Sequence, residues 1–95
     1  MDIVVDELII EEDRPVHIAK HSVTIDEVYE IVFGDYATDA GKEGRILLIG
    51  KTSKQRWITV IIGKRIGKNK YGLVTARDVK KKEKLLYQRE SKGEK

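Results

Sequence analysis

Arg77 and the lysines that follow it carry the most specific chemistry in this chain. Tyr71, Leu73, Thr75 and Arg77 fall at period two, as on one face of a β-strand. The chain then passes through Asp78 into a segment holding Lys80, Lys81, Lys82 and Lys84, with a single acid, Glu83. A guanidinium at a strand end beside a cationic helix can hold a phosphate, because its planar fork matches two oxygens at once. The same arginine can instead pair with Glu83, which comes within reach once the chain turns into the helix. His17 and His21 stand at i and i+4 and could bridge a metal on a helix face. No third ligand follows at suitable spacing, so no metal site and no cofactor is expected. Cysteine is absent, which excludes a thiolate-ligated zinc, thiol catalysis and disulfides. Glycine-rich phosphate loops, nucleophile elbows and dinucleotide fingerprints are also missing.

The net charge of +3 conceals a segregation. Residues 1–44 carry three Lys/Arg against twelve Asp/Glu, and residues 45–95 carry sixteen against four. A basic half of this kind is suited to a polyanion, although short lysine runs also serve simply to solvate a helix. The amino terminus lacks the basic-then-apolar pattern of a signal peptide, and no apolar run approaches a membrane span. A soluble, cytoplasmic protein without membrane partners is the expectation, organised as one domain over residues 1–90 with a disordered tail at 91–95.

The elements that must position Arg77 are read from local signals. Residues 3–10 suggest an opening strand, and Asp13 with Pro15 suggests the start of a short helix running to about Lys20. Thr24-Ile25-Asp26-Glu27 is a capping box, with Val23 and Val28 placed as a hydrophobic staple. The helix it opens shows Ile25, Val28, Tyr29 and Val32 as its apolar stripe and ends at Gly34. A short strand is expected over 36–39, then a Gly41–Gly44 turn, a strand over 45–50, a turn over 52–55 and the β-branched run Trp57–Ile62. Gly67-Lys68-Asn69 then turns the chain into the strand ending at Arg77. The class expected is α+β: an antiparallel sheet of about four strands, with two N-terminal helices on one face and a basic C-terminal helix.

Alternation assigns Ile58, Val60 and Ile62 to one face of the central strand, and Trp57, Thr59, Ile61 and Arg65 to the other. In the last strand it puts Val74 and Ala76 together, opposite Leu73, Thr75 and Arg77. The second face would be half open and would carry both arginines. A single bulge would overturn this assignment.

Residues 17–33 (HIAKHSVTIDEVYEIVF), 44–52 (GRILLIGKT) and 73–87 (LVTARDVKKKEKLLY) together resemble the BrnT family of bacterial toxins. That family shows a Lys-His-Gly-Val segment before a Glu-rich helix, here Lys20-His21-Ser22-Val23. It also shows an Ala-Arg-Arg/Lys segment before a basic helix containing a Glu and ending in Leu-Tyr, here Ala76-Arg77-Asp78, Glu83 and Leu86-Tyr87. Ser22 departs from the usual glycine, Asp78 from the usual second base, and Lys80 from a frequent Thr/Ser cap. The resemblance implies a RelE-like fold and a metal-independent endoribonuclease that acts on mRNA as the toxin of a toxin–antitoxin pair. Its cognate antitoxin would carry a ribbon-helix-helix DNA-binding part, so that DNA is met only through the antitoxin.

Metal-free RNA cleavage needs the 2′-OH deprotonated, the phosphorane charge stabilised and the leaving oxygen protonated. Arg77 is the expected stabiliser, with Arg65 sharing the role if it lies on the same face. Glu83 is a candidate base, although lysine-rich surroundings favour its weakly basic ionised form. His21 is the one ring considered as a proton carrier, set against a packing or capping role between two helices. Arg56, Lys80, Lys81, Lys82 and Lys84 are the expected RNA contacts. Trp57 could stack a base but, in a central strand, suits the core. The alternative from another class is a non-catalytic RNA- or protein-binding module of the same fold.

Overall fold

Two layers of helix enclose one sheet, in a computed structural model that describes residues 3–93, with side chains described as far as Glu90. The elements in order are β1 (Glu7–Ile9), α1 (Arg14–Ala19), α2 (Ile25–Val32), β2 (Ala37–Ala40), β3 (Ile46–Lys51), β4 (Trp57–Lys64), β5 (Lys70–Asp78) and α3 (Lys81–Gly93), with a single 3-10 turn at Lys42–Gly44. The expected α+β class holds, but the sheet has five strands in the order β1-β5-β4-β3-β2 and is mixed rather than antiparallel. β2 to β5 form the expected antiparallel meander. β1 adds to β5 in parallel, with Leu8 opposite Tyr71. Hairpin turns announce antiparallel neighbours in the sequence; a parallel partner some sixty residues away leaves no local mark. Of the expected tail, 91–93 continue α3 and 94–95 lie outside the described residues.

The capping box forms as expected: Thr24 Oγ1 accepts from Glu27 N–H at 3.2 Å, and Glu27 Oε1 accepts from Thr24 N–H at 3.0 Å. Val23 and Val28 are both buried beneath it. The buried stripe of α2 differs from the expected one. Val28, Ile31 and Val32 face the sheet, whereas Tyr29 is 43% exposed and lies beside the exposed Phe33. The helix ends at Val32 with Phe33 as its C-cap, and Gly34 follows where a Cβ would sit 2.4 Å from the Glu30 carbonyl oxygen, so a side chain is not accommodated there. Asp13 precedes α1, yet its carboxylate takes no cap bond; it binds Arg14 instead at 2.9 and 3.1 Å.

One bulge decides the faces of the sheet. Ile61 pairs with Thr75 but Ile62 pairs with Leu73, so Val74 is an extra residue in β5. Beyond it, Leu73 and Tyr71 turn to the side of Val60, Ile62 and Ala76, and all are buried there with Ile18, Val28 and Ile31. The strict alternation expected for β5, with Leu73 opposite Ala76, is therefore corrected. α1 and α2 cover this core face. α3 covers the other, where Thr59 is buried and Trp57 meets Tyr87.

Candidate nucleic-acid interface

The junction of β5 with α3 is held by one carboxylate. Lys80 is the residue before the helix, and its N–H donates to Glu83 Oε1 at 2.9 Å, the arrangement of an N3 glutamate closing back on its cap. That contact turns Glu83 down onto the sheet, where it is 2% exposed. Thr59 Oγ1 donates to Glu83 Oε1 at 2.7 Å. Arg77, opposite Thr59 in the register, closes the site with Nη1 to Oε1 at 3.0 Å and Nη2 to Oε2 at 2.8 Å. Burial on its own would raise the Glu83 carboxyl. The hydrogen bonds from Arg77, Lys80 and Thr59, with the charge of Arg77, outweigh it and hold the group at about 2. A carboxylate so held stays ionised and orients Arg77; it has little tendency to take a proton from a hydroxyl.

Arg77 retains donors beyond this pair. Nη1 also donates to the Asp78 carbonyl at 3.0 Å, which leaves Nε–H and the second Nη2–H without partners among the described residues. Those two hydrogens lie on the same edge of the guanidinium and form its side-on fork. Arg77 lines a cleft of about 530 Å³ whose apolar floor is Leu47 and Ile61 and whose walls carry Lys42, Arg45, Lys80, Lys82 and Asp39. Local sequence pattern does not assign Lys42 and Arg45 to this site. The signal for them was a basic residue inside and just after the Gly41–Gly44 turn, which β2 and β3 bring beside the start of α3.

The remaining expected site residues lie elsewhere. Arg65 follows the far end of β4, pairs with Glu11 at 3.0 Å and lies over Gly72, where a Cβ would meet its guanidinium at 2.5 Å. It does not line the cleft with Arg77. His21 is exposed in the α1–α2 connection, with its ring 6.1 Å from that of His17, and the cleft contains no histidine. Its neighbour His17 is bonded to Thr75 Oγ1 at 3.0 Å. Lys81 and Lys84 are exposed and lie outside the cleft lining; Lys84 Nζ sits 5.1 Å from the Trp57 ring centroid. Asp78, the residue after Arg77, pairs with Ile58 in the register and so projects to the opposite face of the sheet.

Arg56 is a clamp. Its guanidinium donates to the carbonyls of Ser22 and His21, to Glu27 at 3.1 Å and to Asp78 at 3.1 Å, tying the α1–α2 connection to the end of β5. Arg56→Ala is expected to cost about 2 kcal/mol, since hydrogen bonds to charged groups are worth about 1.5–3 kcal/mol each but these are partly solvated. The folded variant should bind oligonucleotide like the parent. Urea unfolding and fluorescence anisotropy check the two halves; a large loss of affinity at unchanged stability would return Arg56 to the RNA surface.

Among the described residues no three His, Asp or Glu side chains come together as a metal centre, and no helix is long and apolar enough to cross a membrane. No protein-family model, no curated protein and no solved structure matches the chain.

Proposed function

We propose that this protein binds single-stranded RNA in the cleft between the Lys42–Gly44 turn and the start of α3, and cleaves it there without metal, as the toxin of a toxin–antitoxin pair. The observation that carries the reading is the side-on fork of Arg77, pre-oriented by a buried, ionised Glu83 in a cleft walled by Lys42, Arg45, Lys80 and Lys82. Bidentate contact through that fork suits a phosphate on which charge develops, and the lysines suit the flanking backbone. The resemblance to BrnT toxins adds the class of reaction, and with it an antitoxin bearing a ribbon-helix-helix part as the partner that silences the protein.

The test is incubation of purified protein with RNA in EDTA. Products ending in 2′,3′-cyclic phosphate are expected, together with growth arrest on expression without the antitoxin. Cleavage that requires added magnesium would overturn the mechanism. Tight RNA binding with neither cleavage nor toxicity would establish the non-catalytic module instead, a reading favoured by the commitment of one Arg77 fork to Glu83 and by the absence of an imidazole from the cleft.

A further inference from the structure

Trp57 begins β4 on the face that carries Thr59, directly opposite Lys51, the last residue of β3. Lys51 Nζ stands 5.3 Å from the indole centroid and Lys84 Nζ 5.1 Å from it. Tyr87, one turn beyond Lys84 on α3, meets the indole edge-on at 5.2 Å and 86°. Trp57 itself is only partly buried, and both lysines are exposed. Arg14, Arg56, Arg65, Arg77 and Lys70 each pair with a carboxylate; among the described residues, Lys51 and Lys84 do not. Two ammonium groups thus lie over one ring, and among the described residues neither has a carboxylate partner. The ring quadrupole attracts each cation, and an arriving anion would attract it more strongly.

We propose that Trp57, Tyr87, Lys51 and Lys84 form a second nucleotide site, which takes the base and phosphate of a single-stranded RNA residue flanking the one in the cleft. This rests on the RNA reading of the cleft. Position supports it: Trp57 is two residues from Thr59 on the same face, roughly 7 Å along the strand. Thr59 in turn lies beneath Glu83, which lines the cleft. The two sites therefore flank the first turn of α3, with Lys80 and Lys82 at the cleft and Lys84 at the indole. An indole accepts any base, because every base presents a π-face, so the site adds affinity without strict sequence preference. The long lysine stems allow an ammonium to leave the ring for a phosphate as the base arrives.

Trp57 is the only tryptophan, so its emission reports on this site alone. The probe is a 2′-O-methyl hexauridylate, which binds but offers no 2′-OH for cleavage, followed both by Trp57 emission and by anisotropy of a labelled copy. Saturable quenching is expected, with a midpoint matching the anisotropy curve, and tripolyphosphate at equal charge should quench far less. Lys51→Ala/Lys84→Ala should weaken binding about tenfold at fixed salt and flatten the salt dependence. Trp57→Leu should weaken it about fivefold or more by anisotropy. Thermal melting must show that each variant folds; the lysine pair, being exposed, keeps the test decisive if loss of the indole unsettles Tyr87. Binding by anisotropy with unchanged Trp57 emission and unchanged affinity of the lysine variant would overturn the second site and leave the cleft reading standing. Equal quenching by tripolyphosphate would reduce it to an anion site and overturn the stacking. No binding of the hexauridylate by either signal would overturn both.

Discussion

Arg77→Ala is expected to lower the free energy of unfolding by about 3 kcal/mol, which for a domain of this size is a fall in Tm of roughly 12–20 °C. The cause is the charge left behind. Glu83 has 3% of its side chain exposed and Arg77 23%, so removing the guanidinium leaves a largely buried carboxylate without its counter-ion. Arg77→Ala/Glu83→Gln should recover much of the loss, because the amide needs no counter-ion and Thr59 and the Lys80 N–H can still donate to its oxygen. The acid side of the stability curve tests the same pair. The folded carboxyl lies at about 2 and the ordinary value is 4.5, so the unfolded chain takes up the proton first. This contribution is fully present above pH 4.5 and is lost as pH falls toward 2, about 3 kcal/mol in all. Urea titrations between neutral pH and pH 2 should show the decline in the parent and a flatter curve in Arg77→Ala/Glu83→Gln. An Arg77→Ala variant with an unchanged midpoint would mean that the buried pair contributes nothing.

Arg77→Lys separates holding Glu83 from holding phosphate. A lysine preserves a positive charge against the carboxylate, so the variant should remain folded, within about 1 kcal/mol of the parent if its ammonium reaches one Glu83 oxygen. It has no second fork. Single-turnover cleavage at saturating RNA is expected to fall about 10²-fold or more, the usual scale for losing one transition-state stabiliser. Lys42→Ala/Lys80→Ala/Lys82→Ala should behave in the opposite way: weaker binding, a salt slope shallower by about 0.7 for each phosphate no longer neutralised, and near-normal cleavage once RNA saturates. Normal turnover by folded Arg77→Lys would confine Arg77 to its structural pairing and favour the binding module.

The two roles open to Arg77 in the sequence, a phosphate contact or a pair with Glu83, prove not to exclude each other. The pair takes the end-on nitrogens and leaves the side-on edge. The spacing of Arg77 and Glu83 made the pair readable, because a strand end and the first turn that follows it are joined by only a few residues. That Thr59 would complete it was not readable, since its place opposite Arg77 depends on the register of β4 against β5.

The features set by neighbours in the chain are legible in the amino-acid order alone: the Thr24–Glu27 capping box, the turns at 41–44, 52–55 and 67–69, and the strands between them. Each follows from side chains within about four residues of one another, where chain connectivity already supplies proximity. The tertiary structure decided everything that depends on which distant residues meet. It set β1 beside β5, placed a bulge at Val74 that turned Leu73 into the core, and put α3 on the face opposite α1 and α2. It also sorted the basic residues: Arg56 and Arg65 into ion pairs, Lys42, Arg45, Lys80 and Lys82 around the cleft, and Lys51 and Lys84 against Trp57. Lysine and arginine look alike in a charge count. Their roles diverge because a buried or half-buried cation is held only where a carboxylate from another part of the fold arrives to meet it, and that meeting is a property of the packed sheet.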